Sequence, residues 1–190
     1  MAGAALACAK KGAAAEGRTI VFVDAAGWYL LPCRCATYAP RGQTPVRRAP
    51  LSREHRSVIS GRTLPGRLLR KLPPRAYQGP DVVGFLRQRL RQIPGKLRVV
   101  WDGAPIQCGQ AVKAFLAAGA AERLRREHFP CYAPDVNPDE GIWRQRKGVQ
   151  RKNVVCREVA ALRRALRLAI ARLRHKAKAL LGCIKQPGYI

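Results

Sequence analysis

Three acids stand out in a chain that is otherwise strongly basic: Asp24, Asp102 and Glu140. Asp24 closes the apolar run Thr19-Ile-Val-Phe-Val-Asp24, and Asp102 closes Leu97-Arg-Val-Val-Trp-Asp102. Glu140 lies near the expected start of a later helix, in Asn137-Pro-Asp-Glu-Gly-Ile-Trp143. Two strands that end alike, if they are sheet neighbours, set their terminal carboxylates side by side at one edge. Three carboxylates meeting at a point repel one another unless a divalent cation sits between them. Ligation by oxygen alone selects a hard ion, Mg²⁺ or Mn²⁺. Two such ions about 3.5–4 Å apart can activate an attacking hydroxyl and stabilise the leaving oxygen of a phosphodiester. Spacing alone leaves other roles open. An aspartate after a strand is commonly a turn residue or helix cap, and Asp102-Gly103 is a common turn dipeptide. A glutamate in a first helical turn also complements the helix dipole. Asp135 and Asp139 compete with Glu140 for the third position.

The surroundings of these acids narrow the chemistry. Lys and Arg number 37 against 11 Asp and Glu, a net charge of +26 over 190 residues. A compact domain with so much like charge is stabilised by a polyanion, and nucleic acid gains affinity by releasing counterions from each neutralised phosphate. The basic residues are spread along the chain, so the folded surface itself must be basic. With 47% hydrophobic residues the sequence reads as globular. Seven cysteines, with no CxxC pair and no histidine at zinc-finger spacing, read as reduced thiols and not as a metal site. No segment approaches the roughly 18 apolar residues of a membrane span, and the start is a poor signal peptide, so a cytoplasmic location is expected.

The elements that must position the acids follow from hydrophobic pattern. Residues 1–18 read as a loose lead-in. The run at 19–24 is of strand length, with 27–31 expected to pair back on it as a hairpin. A third strand is expected at 56–60, and an irregular basic connection over 62–79. From Pro80 the apolar spacing turns helical, with Asp81 near the cap and Pro94-Gly95 as the stop. A strand at 97–102, a helix at 110–118, a strand near 123–129, a helix from Pro138 to about 150 and a long amphipathic helix over 157–174 complete the order. This is a mixed α/β domain, with helices on both faces of a central sheet.

Four stretches resemble the mariner superfamily of DDE transposases, specifically the bacterial insertion-sequence six-thirty family. They are Val23-Asp24, Ala39-Pro-Arg-Gly-Gln-Thr-Pro45, Val100-Trp-Asp-Gly-Ala-Pro-Ile106 and Tyr132-Ala-Pro-Asp-Val-Asn-Pro-Asp-Glu-Gly-Ile-Trp143. They occur in the family's order across most of residues 19–150. The resemblance implies a ribonuclease H-like fold, with Asp24, Asp102 and Glu140 as the catalytic, metal-holding acids and 37 residues between the second and third. It implies two Mg²⁺ or Mn²⁺ ions, cleavage at transposon ends, strand transfer into target DNA and a homodimer that pairs two ends. The expected division is a catalytic domain at 19–155 followed by a basic amphipathic helix and tail at 156–190. Several positions depart from the family pattern: Ala25 follows the first aspartate, Gln107 stands where a histidine is usual, Cys131 replaces a proline and Tyr38 a tryptophan. The family also carries helix-turn-helix modules ahead of the catalytic domain. The expectation here is a separate helix-turn-helix chain or a truncated remnant.

Arg144, Arg146, Lys147, Arg151 and Lys152 follow Glu140 closely and are expected to contact DNA phosphates. Trp28, Trp101 and Trp143 can stack on bases, but tryptophans beside apolar strands are more often core. The arginines at 157–174 suit a DNA backbone and a solvated helix face equally. Three rival functions remain: an inactive basic DNA-binding remnant, a ribonuclease acting on RNA–DNA hybrids, and, last, a ribosomal-type structural protein, which gives no reason for acids after two apolar runs. Mg²⁺-dependent nicking separates the first, and a comparison of duplex with hybrid separates the second.

Overall fold

The computed structural model describes residues 10–30, 38–46, 48, 52, 54–73, 75–129, 137 and 156–174. Five strands form one sheet: β1 (Arg18–Tyr29), β2 (His55–Thr63), β3 (Leu68–Lys71), β4 (Lys96–Trp101) and β5 (Leu124–His128), in the order β3-β2-β1-β4-β5. The first three run antiparallel, whereas β4 lies parallel to β1 and β5 parallel to β4. The helices are α1 (Gly79–Gln92), α2 (Pro105–Cys108), α3 (Gln110–Ala117) and α4 (Val159–Arg174).

Strand periodicity sorts the sheet's two faces. Val21, Val23, Ile59, Leu69, Leu97, Val99, Trp101 and Leu124 point to one face and form a core with Val82, Phe85 and Leu86 of α1 and Val112 of α3. The opposite face is divided. Ile20, Phe22, Val100 and Phe129 pack with Ala13 at one end. At the other, Ala26, Trp28 and Val58 pack under Leu162, Leu166 and Ile170 of α4. The order, parallel pairing and layering are those of a ribonuclease H-like domain.

Four local expectations are corrected. Residues 27–29 do not turn back as a hairpin but continue β1, pairing with residues 55–57 of β2. Ala26, Trp28 and Leu30 keep the alternation of Phe22 and Asp24, and that side is covered by α4. The stretch read as irregular contains β3, closing the sheet edge against β2. A helical turn at 10–15 replaces a loose lead-in. It is held by Glu16, whose carboxylate meets Arg18, Arg98 (2.9 Å) and Arg125 (2.7 Å). The short helix α2, directly after Asp102, was also not expected. The helix expected at 138–150 lies outside the described residues. Trp28 and Trp101 are both buried in core, which removes them as base-stacking platforms; Trp143 lies outside the described residues.

Helix α1 opens on a capping box. The Gln78 N–H donates to the Asp81 carboxylate (3.0 Å), which also accepts from Arg75 (2.7 Å) and faces Lys71 (3.8 Å). Burial would raise the Asp81 pKa, but the Gln78 and Arg75 hydrogen bonds and the Arg75 and Lys71 charges outweigh it and hold it below its ordinary 3.8. Asp81→Ala is expected to lower stability by about 1 kcal/mol at neutral pH, measured by urea unfolding. Because the folded-state pKa is depressed, this contribution is complete above 3.8 and fades as pH falls through the folded value. The two proteins should therefore converge in acid.

Candidate active site

The parallel register places the first two acids. Arg18 pairs with Lys96 and Phe22 with Val100, a constant offset of 78 residues (96 − 18 = 100 − 22). Carried two residues further, that offset sets Asp24 level with Asp102, on strands about 4.8 Å apart. Both share the parity of Phe22 and Val100, so both belong to the divided face, between its two apolar clusters. Across β2 the row continues, since Asp24 pairs with Ser60, and Ser60 with Arg70 of β3. A polar row of Arg70, Ser60, Asp24 and Asp102 thus crosses this face between its two apolar clusters.

The two carboxylates differ in setting. Asp24 is 4% exposed, and its Oδ1 accepts from the Ala25 N–H (2.7 Å). Asp102 is exposed just past the end of β4. Its turn is tightly built: the Ala104 N–H donates to Asp102 Oδ1 (3.2 Å), and the Gly103 N–H donates to Gln107 Oε1 (3.2 Å). Gly103 has φ +78°, and a Cβ there would stand 2.6 Å from His128 Nδ1, so only glycine fits this turn without displacement. Pro105 in the first turn of α2 then starts the short helix that carries Gln107, which is fully buried.

Tyr77 joins the constellation from the link before α1. Burial first, with added repulsion from the Asp102 and Asp24 carboxylates and opposed by Gln107 alongside, pushes its phenol up to about 12. It stays neutral at physiological pH, a hydroxyl within the field of both acids. Sequence reasoning missed Tyr77 because it sits in a Pro- and Gly-rich stretch with no periodicity. Gln107 was noticed only as a departure from a family pattern. Ser60 and Arg70 could be found only through strand register, which no local spacing encodes.

Of the predicted site residues, Asp24 and Asp102 are thus brought together, while Glu140 and its competitors Asp135 and Asp139 lie outside the described residues. So do Arg144, Arg146, Lys147, Arg151 and Lys152. Arg157, just ahead of α4, and Arg164, Arg167 and Arg172 on it are exposed, and Arg164 faces Glu158 at 3.7 Å. Cys108 and Cys156 are free thiols. Among the described residues no group of three His, Cys, Asp or Glu side chains is gathered to hold a metal, and no helix is long and apolar enough to cross a membrane. The donors that are in place, two aspartates level on adjacent strands, are hard oxygen ligands of the kind Mg²⁺ and Mn²⁺ take.

A ribonuclease H-like sheet with two aspartates level on its central strands, just past the parallel pairing of β1 with β4, is the framework of a polynucleotide-cutting endonuclease. A family profile described as DDE superfamily endonuclease matches residues 19–163, and the chain belongs to that family. Solved structures of Mos1 mariner transposase share the fold. The pre-cleavage Mos1 transpososome superimposes with a TM-score of 0.64 at 16% identity, covering 98% of this chain and 60% of that one. The Mos1 paired-end complex with Mn gives 0.62 at 17% identity, with 98% and 60% covered. The isolated Mos1 catalytic domain gives 0.55 at 14% identity, covering 98% and 90%. The chain therefore spans about three fifths of the transposase chains in those complexes and nearly all of the isolated catalytic domain. No curated protein matches it.

Proposed function

We propose that this chain is the catalytic part of a DNA transposase, cutting phosphodiester bonds at transposon ends and joining the freed strands to target DNA. The observation that carries the reading is the register that sets Asp24, within β1, level with Asp102, just past the end of the parallel strand β4. Support comes from the company of the fold: the similar Mos1 structures are a pre-cleavage transpososome and paired-end complexes with Mn and with Mg.

The chain's own residues divide the work. Asp24, anchored by the Ala25 N–H, forms the buried wall of the site, and Asp102, held in its turn by Ala104, forms the open side. Glu140 completes the donor set. Two Mg²⁺ or Mn²⁺ ions held by these three acids would supply the positive charge that activates an attacking hydroxyl and offsets charge on the leaving oxygen. Tyr77, hydrogen-bonded to the buried Gln107 that braces the Asp102 turn, keeps a neutral hydroxyl within the field of the acids and helps to hold that turn. Arg144, Arg146, Lys147, Arg151 and Lys152 contact phosphates, so affinity for duplex DNA falls steeply with salt. Residues 19–155 act as the catalytic domain and 156–190 as a basic extension. Two copies pair two ends, and the work is done in the bacterial cytoplasm.

A second reading is favoured by Ala25, Tyr38, Gln107 and Cys131, the four departures from the family pattern: the same fold kept as a DNA-binding remnant without turnover. One experiment separates the readings. A labelled DNA duplex carrying the element's end is incubated with Mg²⁺, Mn²⁺ or EDTA, beside an RNA–DNA hybrid of the same sequence. Metal-dependent nicking of the duplex supports the transposase, and duplex binding without nicking supports the remnant. Preferential cleavage of the hybrid would instead make the chain a ribonuclease.

A further inference from the structure

At the edge of the sheet opposite the acids, α1, α3 and the turn before β5 enclose an open groove of about 730 Å³. Its rim carries Arg87, Arg91 and Arg123, and Leu90, Pro94 and Phe115 give it an apolar floor. No carboxylate lines it, and among the described residues none of the three arginines makes an ion pair.

Two of these guanidinium groups are already fixed. Arg123 donates through Nε and Nη2 to the Gly95 carbonyl (3.0 and 2.9 Å) and through Nη2 to those of Leu90 (3.1 Å) and Ile93 (3.3 Å). It thereby satisfies the end of α1 and leaves Nη1 with no partner among the described residues. Arg87 lies over the Phe115 ring, 5.5 Å from its centroid. Ordering an arginine ordinarily costs rotamer entropy on binding, and here much of that cost is already met within the fold. Three cations of which two are preorganised, over an apolar floor with no acid nearby, suit a polyanion whose phosphates are regularly spaced.

We propose that this groove is a second DNA-binding site, taking the phosphate backbone of a duplex other than the one at the acids. The position of the groove argues for a separate duplex. Gly95 and Arg123 immediately precede β4 and β5, whereas Asp102 follows β4, so the six residues of that strand put about 20 Å between the sites. The groove also opens on the α1–α3 side of the sheet, and the acids lie on the other face. A straight duplex seated on one cannot lie along the other. The inference rests on the reading that the chain handles DNA, and it adds where a second segment is held.

The test compares the full chain with Arg87→Ala/Arg91→Ala, leaving Arg123 to cap its helix. A charge-matched control, Arg41→Ala/Arg48→Ala, changes exposed residues that do not line the groove. Binding of a short fluorescein-labelled duplex is followed by anisotropy across a salt series, with stoichiometry by titration and folding by circular dichroism. The groove variant should lose the second duplex, with the log–log salt slope falling by about two, while metal-dependent nicking and the control stay at the unmodified level. Should the double variant fail to fold, Arg91→Glu alone reverses an exposed charge and must show the same loss. Unchanged slope and stoichiometry would overturn the proposal. So would displacement of poly-glutamate but not of DNA by these substitutions, which would assign the groove to an acidic protein. If the unmodified chain binds DNA but never nicks it, the nuclease reading fails and the binding comparison still decides the groove.

Discussion

Asp102→Asn lowers metal-dependent nicking by roughly 10³-fold or more while leaving the fold intact. The size follows from the role: a carboxylate that helps hold catalytic cations is linked to several kcal/mol of transition-state charge stabilisation, and each 1.36 kcal/mol is about tenfold in rate. Folding should be spared because Asp102 is exposed, beyond the last residue of β4, and an asparagine oxygen can still accept from the Ala104 N–H. A second readout separates a metal ligand from a mere turn residue. In EDTA the variant should melt at or above the temperature of the unmodified chain, because repulsion between two adjacent carboxylates is relieved. Added Mg²⁺ should raise the melting temperature of the unmodified chain and leave the variant unmoved, since only a ligand that binds the folded state stabilises it. An equal Mg²⁺ response in both proteins would remove Asp102 from the metal site even if activity fell.

What could be read from sequence was set by how local the cause is. The first half of β1 and the whole of β4 were legible because both are continuous apolar runs closed by an acid, and α1 and α4 because their apolar residues recur at helical spacing. The hairpin at 27–31 was misread because Gly27 looks like a turn. The alternation of Ala26, Trp28 and Leu30 was in plain view, but only α4, more than a hundred residues later, makes burying that side worthwhile. Strand β3 is four residues among prolines and glycines, and it exists because β2 offers it a free edge. The helical turn at 10–15 depends on Glu16 reaching Arg98 and Arg125, partners 82 and 109 residues away. The site divides in the same way. Asp24 and Asp102 announce themselves by closing apolar runs, but that they stand level is a matter of register. Ser60, Arg70 and Tyr77 reach the site only through the fold.

The largest effect on stability is expected at Phe85, and it supplies the contrast that makes the Asp102 result interpretable. Phe85 is fully buried on the face of α1 that covers the sheet. Its ring lies so close to Gly61 that a Cβ there would meet its Cζ at 2.9 Å, so the missing side chain in β2 and the large one in α1 fill the same space. The ring also carries the Arg89 guanidinium, 4.6 Å from its centroid. Burial, and after it the charge of Arg67, pulls Arg89 down to about 10, so the aromatic face partly offsets the desolvation of that cation. Phe85→Ala therefore removes core volume and strips a buried charge of its platform. The expected loss is about 3–5 kcal/mol, a large part of the roughly 5–15 kcal/mol that holds a domain of this size together. Phe85→Leu, which keeps apolar bulk, should lose markedly less. Measured by urea unfolding, with nicking assayed on the same samples, the activity of Phe85→Ala should track its folded fraction and recover on cooling towards its temperature of maximum stability. Asp102→Asn should stay folded and inactive at every temperature. If Phe85→Ala unfolds no more readily than the unmodified chain, the tight meeting of α1 with β2 at Gly61 is not what holds that layer on the sheet.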